Sequence, residues 1–182
     1  MIKTFRLDIV PFDIEFLNDY YVGFNEDITK YMWPDPFANI NDARNMLQNF
    51  MKEMKQGQTL LFSILSKNGK FLGSVEVHGL TESCPELGIW IKASEQKKGY
   101  AYEALCAVLD YVRVTFDKYN FFYELDIRNK SSIKLLHKLK NNYDIVEQDF
   151  EMITTTSGKK LELQGYILKV KKNSLQAMEE GR

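Results

Sequence analysis

Near the start of the chain apolar and polar side chains alternate: Phe5, Leu7 and Ile9 against Arg6, Asp8 and Val10. A period of two puts one set on the buried face of a strand. The spacing turns helical from Phe12 to Tyr21, predicting a short helix. Between Tyr31 and Phe37 no period survives. The run Tyr-Met-Trp-Pro-Asp-Pro-Phe reads as an aromatic loop broken by Pro34 and Pro36. Apolar positions then recur three and four apart at Ala43, Met46, Leu47, Phe50, Met51 and Met54. They predict a helix capped by Asn41 and ended by Gly57.

Strands follow at Leu60 to Leu65 and Phe71 to Val77, joined by the hairpin dipeptide Asn68-Gly69. Pro85 opens a third, Glu86 to Lys92. From Gly99 a stripe of Ala101, Ala104, Leu105, Val108, Leu109, Val112 and Phe116 predicts a long helix. Phe121, Tyr123, Leu125 and Ile127 share one side of a strand. Ser132, Leu135, Leu136 and Leu139 give a shorter helix. Tyr143 to Ile153 and Leu161 to Val170 are two last strands, joined through Ser157-Gly158. The strand–helix–strand–helix order from Glu86 to Leu139 implies a crossover that lays helices on a sheet, and the hairpins imply antiparallel neighbours. The expected fold is α/β (α+β): a mixed, mostly antiparallel central sheet of about seven strands flanked by helices. Residues 1–172 read as one domain and 173–182 as a loose polar tail.

Composition narrows the chemistry. The 182 residues are 45% apolar, enough for a sizeable core. Lys and Arg number 24 against 25 Asp and Glu, so no excess positive field invites a nucleic acid. Two cysteines, Cys84 and Cys106, with no CxxC, and two histidines, His78 and His137, argue against a metal site or a disulfide framework. Apolar runs are too short for a membrane span, and Met1 to Val10 carries charges where a signal peptide needs an apolar core. A cytoplasmic protein acting without membrane or metal is expected. The sequon at Asn129-Lys130-Ser131 is read as coincidence.

No GxGxxG, Walker A, GxSxG or HExxH pattern occurs. The informative segment runs from Glu86 to Leu105: strand, short loop, then a helix beginning near Gly99. The first turn of that helix has free N–H groups and the positive end of the helix dipole. Gly99 and Ala101 let a ligand approach the backbone, and Lys97 and Lys98 add charge. These features suit a pyrophosphate cradle. The alternative is an ordinary strand-to-helix turn containing a glycine.

Gln96-x-x-Gly99-x-Ala101 resembles the [Arg/Gln]-x-x-Gly-x-[Gly/Ala] signature of the GNAT superfamily of acetyl-CoA-dependent N-acetyltransferases. Glu86-Leu-Gly-Ile-Trp-Ile resembles that family's fourth strand, and Ala101-Tyr-Glu-Ala-Leu the start of its central helix. Asn129-x-x-Ser132 resembles its next helix entry. Tyr31 to Pro34 resembles a stretch of the RimJ/RimL branch, which acetylates protein N-termini, ribosomal ones among them. The likeness spans roughly residues 3 to 170. It implies acetyl-CoA as co-substrate, with pantetheine along Trp90, Ile91 and Lys92 and pyrophosphate on Gln96, Lys97, Lys98, Gly99, Tyr100, Ala101 and Tyr102. Asn129 would cap its helix and touch the pantetheine arm. Two departures stand out. Tyr102 replaces a frequent threonine. Lys140-Asn141-Asn142-Tyr143 replaces Leu-Gly-Phe, with Asn141 or Asn142 expected to supply a left-handed helix end.

Acetyl transfer to an amine needs a base for the amine's proton, a donor for the thioester oxygen and a partner for the leaving thiolate. Glu86, sharing a strand face with Gly88 and Trp90, is the leading base, against a reading as a merely solvated carboxylate. His78 and Glu76 are runners-up, with Glu124 and Asp126 behind them. Ser132 shares a helix face with Leu135, Leu136 and Leu139, and the resemblance places its hydroxyl near the thioester sulfur. Its alternative is a bond to its own helix end. Ser131, one position round, is expected to be a bystander. Tyr31, Trp33 and His78 are the substrate-side candidates. Neither cysteine sits where an acyl carrier would, so transfer is direct. The expected acceptor is a protein N-terminal amine. Rivals are a polyamine, aminoglycoside or small metabolite amine, or a catalytically silent acyl-CoA-binding module. The remaining partner option is a second copy of the chain in a homodimer.

Overall fold

The computed structural model describes residues 1–171; the expected tail at 173–182 lies outside the described residues. Eight strands form one sheet: β1 (Ile2–Lys3), β2 (Leu7–Pro11), β3 (Leu60–Ser66), β4 (Phe71–His78), β5 (Glu86–Ile91), β6 (Asn120–Asp126), β7 (Tyr143–Thr154) and β8 (Lys160–Val170). Their order is β1-β2-β3-β4-β5-β6-β8-β7. Every pair is antiparallel except β5 with β6. Five helices connect them: α1 (Leu17–Gly23), α2 (Glu26–Thr29), α3 (Ile40–Lys55), α4 (Tyr100–Phe116) and α5 (Lys130–Leu139). No helix among the described residues is long and apolar enough to cross a membrane.

The sheet separates two cores. On one face α4 and α5 bury Leu105, Leu109, Val112, Leu136 and Leu139 against Leu87, Phe121 and Leu168. On the other, α1 and α3 bury Tyr20, Phe24 and Leu47 against Leu61, Phe71 and Trp90. Each such side chain contributes about 1.5–3 kcal/mol by leaving water, which is why the three- and four-residue stripes carry the helix signal so clearly.

Local departures from the expected elements have local causes. The eighth strand is β1, too short for periodicity to reveal. Phe5 is 93% exposed in the bend after it, so the alternating run begins at Leu7. The stretch from Phe12 opens as a 3₁₀ turn, Ile14–Phe16, before α1 begins. The cap of α3 is Asn39, not Asn41: its side chain accepts from the amides of Asn41 and Asp42. Ile127 lies beyond β6 and is exposed. After α5 neither Asn141 nor Asn142 is left-handed. The chain leaves through tight turns, Asn141 N–H to Lys138 and Asn142 N–H to Leu139, and β7 pairs with β8 along its length through one bulge.

β5 and β6 pair only at Glu86–Phe122 and Leu87–Tyr123. Beyond that point β5 stays with β4 as far as Gly73–Ile91, and β6 stays with β8 as far as Asp126–Leu163. Gly73 permits the close approach on the β4 side, since a Cβ there would lie 2.1 Å from the carbonyl oxygen of Trp90. The two strands therefore splay, and the sheet opens between them.

Candidate active site

A cavity of about 860 Å³ occupies this opening and reaches both faces of the sheet. Strand edges normally hydrogen-bond to a neighbour. Past Leu87 and Tyr123 the facing edges of β5 and β6 have none in each other, so backbone groups border the cavity.

On the α4 side the wall is the loop after β5 and the first turn of α4. The loop is built by its own side chains. Glu95 is buried and pairs with Lys70 and with Lys98, at 2.7 Å for the latter; the Lys70 hydrogen bond leads in holding its carboxyl at about 2. Gln96 donates its side-chain amide to the Ile91 carbonyl at 3.0 Å. Lys97 (φ 62°) and Gly99 (φ 85°) are both left-handed. The first helical bond of α4 runs from Glu103 N–H to the Gly99 carbonyl. The amides of Tyr100, Ala101 and Tyr102 precede it and have no helical acceptor. All three residues, with Gln96, Lys97 and Gly99, line the cavity.

Two expectations about this loop change. Lys98 is turned to Glu95 and does not line the cavity. A Cβ on Gly99 would meet the Arg6 guanidinium at 3.3 Å, so the missing side chain serves a left-handed backbone packed against Arg6, while the Gly99 backbone still lines the cavity.

From α5 the Asn129 side chain accepts from the Ser132 amide at 3.2 Å, the expected cap. Ser132 lines the cavity beside the buried Tyr123, whose phenol is pushed up by burial, with the hydrogen bond between the two hydroxyls opposing. Ser131, the expected bystander, lines the cavity as well. Lys134 and Lys138 complete this wall, the latter over the Tyr102 ring at 5.8 Å.

The opposite face is acidic. Asp27, Glu86, Glu124 and Glu151 line it. Burial pushes the Glu124 carboxyl up, and the charges of Glu151 and Glu86 add to the shift. Glu86 is exposed at the start of β5, opposite His78 on β4. His78 itself does not line the cavity. Its Nε2 lies 3.1 Å from Glu76, which also accepts from the buried Tyr20 hydroxyl at 3.0 Å. The Glu76 bond raises the His78 pKa. Trp90 and Ile91 border the opening, but the Trp90 indole packs edge-on against Tyr20 and Phe24 in the second core. Lys92 is drawn off to Asp19 at 2.7 Å, away from the cavity.

Tyr31 and Trp33 line the mouth, Trp33 with 64% of its surface exposed. Their loop is tied to the β7–β8 turn by Lys159. Its ammonium donates to the carbonyls of Thr29 and Met32, both at 2.8 Å, and pairs with Asp35 at 2.8 Å. That ammonium leads in lowering Asp35 to about 2. Sequence reasoning passed over Lys134, Lys138, Asp27, Glu151 and Lys159. The two lysines carried a signal, since i and i+4 positions share a helix face. The others meet only through the tertiary fold.

The cavity is thus polarised: Lys97, Lys134, Lys138 and helix amides on one side, where the lining carboxylate Glu95 is neutralised by Lys70 and Lys98, and Asp27, Glu86, Glu124 and Glu151 on the other. Such a site holds a polyanion at one end and a cation at the other, with the opening in the sheet between them.

The family model for the acetyltransferase (GNAT) domain matches residues 6–141. A relative described as uncharacterized N-acetyltransferase p20, from Bacillus licheniformis, is 27% identical over 128 residues, covering 69% of this chain and 72% of its own. Among solved structures, the fold is similar to spermidine N-acetyltransferase from Vibrio cholerae in complex with CoA and spermine. That match has 18% identity, a TM-score of 0.75, and covers 90% of this chain and 95% of the other. It is also similar to RimL, a ribosomal L7/L12 alpha-N-protein acetyltransferase in complex with coenzyme A. Here identity is 14%, the TM-score 0.76, and the coverage 92% and 96%.

Proposed function

The chain belongs to the GNAT acetyltransferase family, and from that premise we propose that it transfers acetyl directly from acetyl-CoA to a primary amine at the acidic end of the cavity. The polarised cavity carries this reading. Residues 1–172 act as one domain.

Acetyl-CoA supplies an activated acetyl thioester. The first-turn amides of Tyr100, Ala101 and Tyr102, with Lys97, hold its pyrophosphate, and Lys134 and Lys138 add charge to that end. Asn129 and the unpaired edge of β5 at Trp90 and Ile91 hold the pantetheine arm. An edge amide of β5 donates to the thioester oxygen as negative charge develops there. Glu86 takes the amine's proton, directly or through water, because it is the exposed carboxylate at the apex of the splay. Ser132 donates a hydrogen bond to the departing thiolate. A serine hydroxyl is a weak acid, so water completes proton delivery.

The acceptor reading follows from charge. Asp27, Glu86, Glu124 and Glu151 favour an amine with more than one positive charge, of the polyamine type, over an N-terminal amine with a single one. A protein N-terminus is the second reading. The likeness to RimL and the open, aromatic mouth at Tyr31 and Trp33 speak for it. Release of free CoA thiol separates them when spermidine, spermine and peptides with free N-termini are assayed side by side. A kcat/KM at least about tenfold higher for the polyamines supports the first reading. The reverse order supports the second. CoA binding without turnover on any amine would leave a silent binding module.

A further inference from the structure

The loop that borders the anion-binding end of the cavity is held from outside by the N-terminal segment of the chain. Arg6, in the bend between β1 and β2, donates from Nη1 to the Lys98 carbonyl at 2.8 Å. In a trans peptide the carbonyl and the following N–H point in opposite directions. With the Lys98 carbonyl turned to Arg6, the Gly99 N–H is turned away from it. Gly99 itself lines the cavity.

Arg6 is in turn fixed by the first turn of α4. Its Nε and Nη2 reach one carboxylate oxygen of Glu103 at 2.7 and 2.6 Å, and its backbone N–H reaches the other at 2.9 Å. The Thr4 hydroxyl donates to that second oxygen at 2.6 Å. The guanidinium also covers the Tyr100 ring, 4.8 Å from its centre. Glu103 is largely buried; burial raises its carboxyl, and the hydrogen bonds from Thr4 and Arg6 outweigh this and lower it. An acid in the first turn of a helix suits the dipole but repels an anion bound there. Arg6 cancels that repulsion locally and leaves the amides to act.

We propose that Arg6 is a positioning residue for acetyl-CoA: it aims the Lys98–Gly99 peptide so that the Gly99 N–H joins the pyrophosphate cradle, and Glu103 and Thr4 hold it in that role. The proposal rests on the reading that this loop binds the pyrophosphate. Arg6 does not line the cavity, so its effect belongs in acetyl-CoA affinity and not in the chemical step.

Calorimetry with CoA and steady-state kinetics on the full chain test it. Arg6→Ala should weaken CoA binding and raise the acetyl-CoA KM by about tenfold, with the acceptor KM and kcat within about twofold. Arg6→Lys, which keeps one charged donor, should recover most of the affinity. Glu103→Gln should show the same KM effect, smaller. A strut that merely supports the fold would lower Tm without separating the two KM values. Unchanged CoA affinity in folded Arg6→Ala, or equal losses in both KM values, would overturn the proposal. Ala101→Asp tests the underlying reading separately, since it puts a carboxylate on the cavity wall without touching Arg6. Loss of CoA binding there beside full binding in Arg6→Ala removes the positioning role alone. Full binding in Ala101→Asp removes the pyrophosphate site and the proposal with it.

Discussion

The two ends of the cavity solve one mechanical problem with the same device and solve the recognition problem in opposite ways. At the anion-binding end a cation, Arg6, captures a loop carbonyl 92 residues away. At the acidic end a cation, Lys159, captures two carbonyls 130 and 127 residues away. Both loops are thereby set from outside. The ligand-facing groups differ. The anion-binding end offers backbone amides, contributed by one contiguous segment with two left-handed residues, with Lys134 and Lys138 of α5 beside them. The acidic end offers side chains, gathered from α2, β5, β6 and β7. Backbone recognition is written locally and needs only the right conformation. Side-chain recognition is written by the tertiary fold and needs particular residues at distant positions. Substitutions at the acidic end should therefore alter chemistry and acceptor choice while leaving CoA affinity alone.

Glu86→Gln gives the largest expected effect. Removing a general base should lower kcat/KM by about 10²–10⁴-fold and flatten the rise of rate with pH. CoA affinity by calorimetry should stay unchanged, because Glu86 faces the other end. A Glu86→Gln variant that loses CoA binding in step with activity would erase the division between the ends.

That division also explains what the sequence made legible. Gln96 to Ala101 could be read because the strand, the turn and the helix start are consecutive, and Asn129 because a cap acts on its own helix. The stripe of α4 was legible because burial repeats every turn, as the fully buried Leu105 and Val112 show. Asn39 was missed in favour of Asn41 because caps are fixed by which residue turns extended, and both candidates carry the right side chain. Lys92 is placed on the ligand by the resemblance and Lys98 by its charge as well, while Asp19 and Glu95, their partners, approach through the fold. The acidic wall was legible only in part: strand alternation offered Glu86 and Glu124 singly, while Asp27 and Glu151 join them only through the tertiary fold, where β5 and β6 part.

Lys159→Met comes next in size. It removes the charged donor from two carbonyls and leaves Asp35 without its ion pair, at a cost of about 1–3 kcal/mol, visible as a lower Tm. The Tyr31–Trp33 wall should loosen. The acceptor KM should rise about tenfold with the acetyl-CoA KM unmoved. If both KM values rise equally, the β7–β8 turn braces the whole cavity and not one end of it.

Glu151→Gln should act more weakly, because Glu151 is exposed and its attraction for a cation is screened. A rise of up to about fivefold in the KM for spermine is expected, shrinking as salt is added, with little change for a peptide N-terminus. Equal changes for both acceptors would mean that the acidic wall does not select multiply charged amines.

The smallest effect tests whether His78 belongs to the acidic end or only to the core behind it. Its pKa lies above the ordinary 6.5, raised first by the hydrogen bond to Glu76 and further by the charges of Glu76, Glu86 and Glu53, against burial, which pulls it down. A pKa raised by folding means that the folded chain binds the proton more tightly than the unfolded chain. The stabilisation is therefore complete below about pH 6.5 and is lost as pH rises through the folded value. His78→Gln should then lower Tm most in acid, and the gap from wild type should close as pH rises past the raised folded value. Activity should hardly change: kcat/KM within about twofold, with the pH–rate inflection in place, because the imidazole does not line the cavity. Should the inflection move with His78→Gln while Tm stays put, proton removal would pass from Glu86 to its cross-strand neighbour. The acidic end would then reach through β5 to the Glu76–His78 pair.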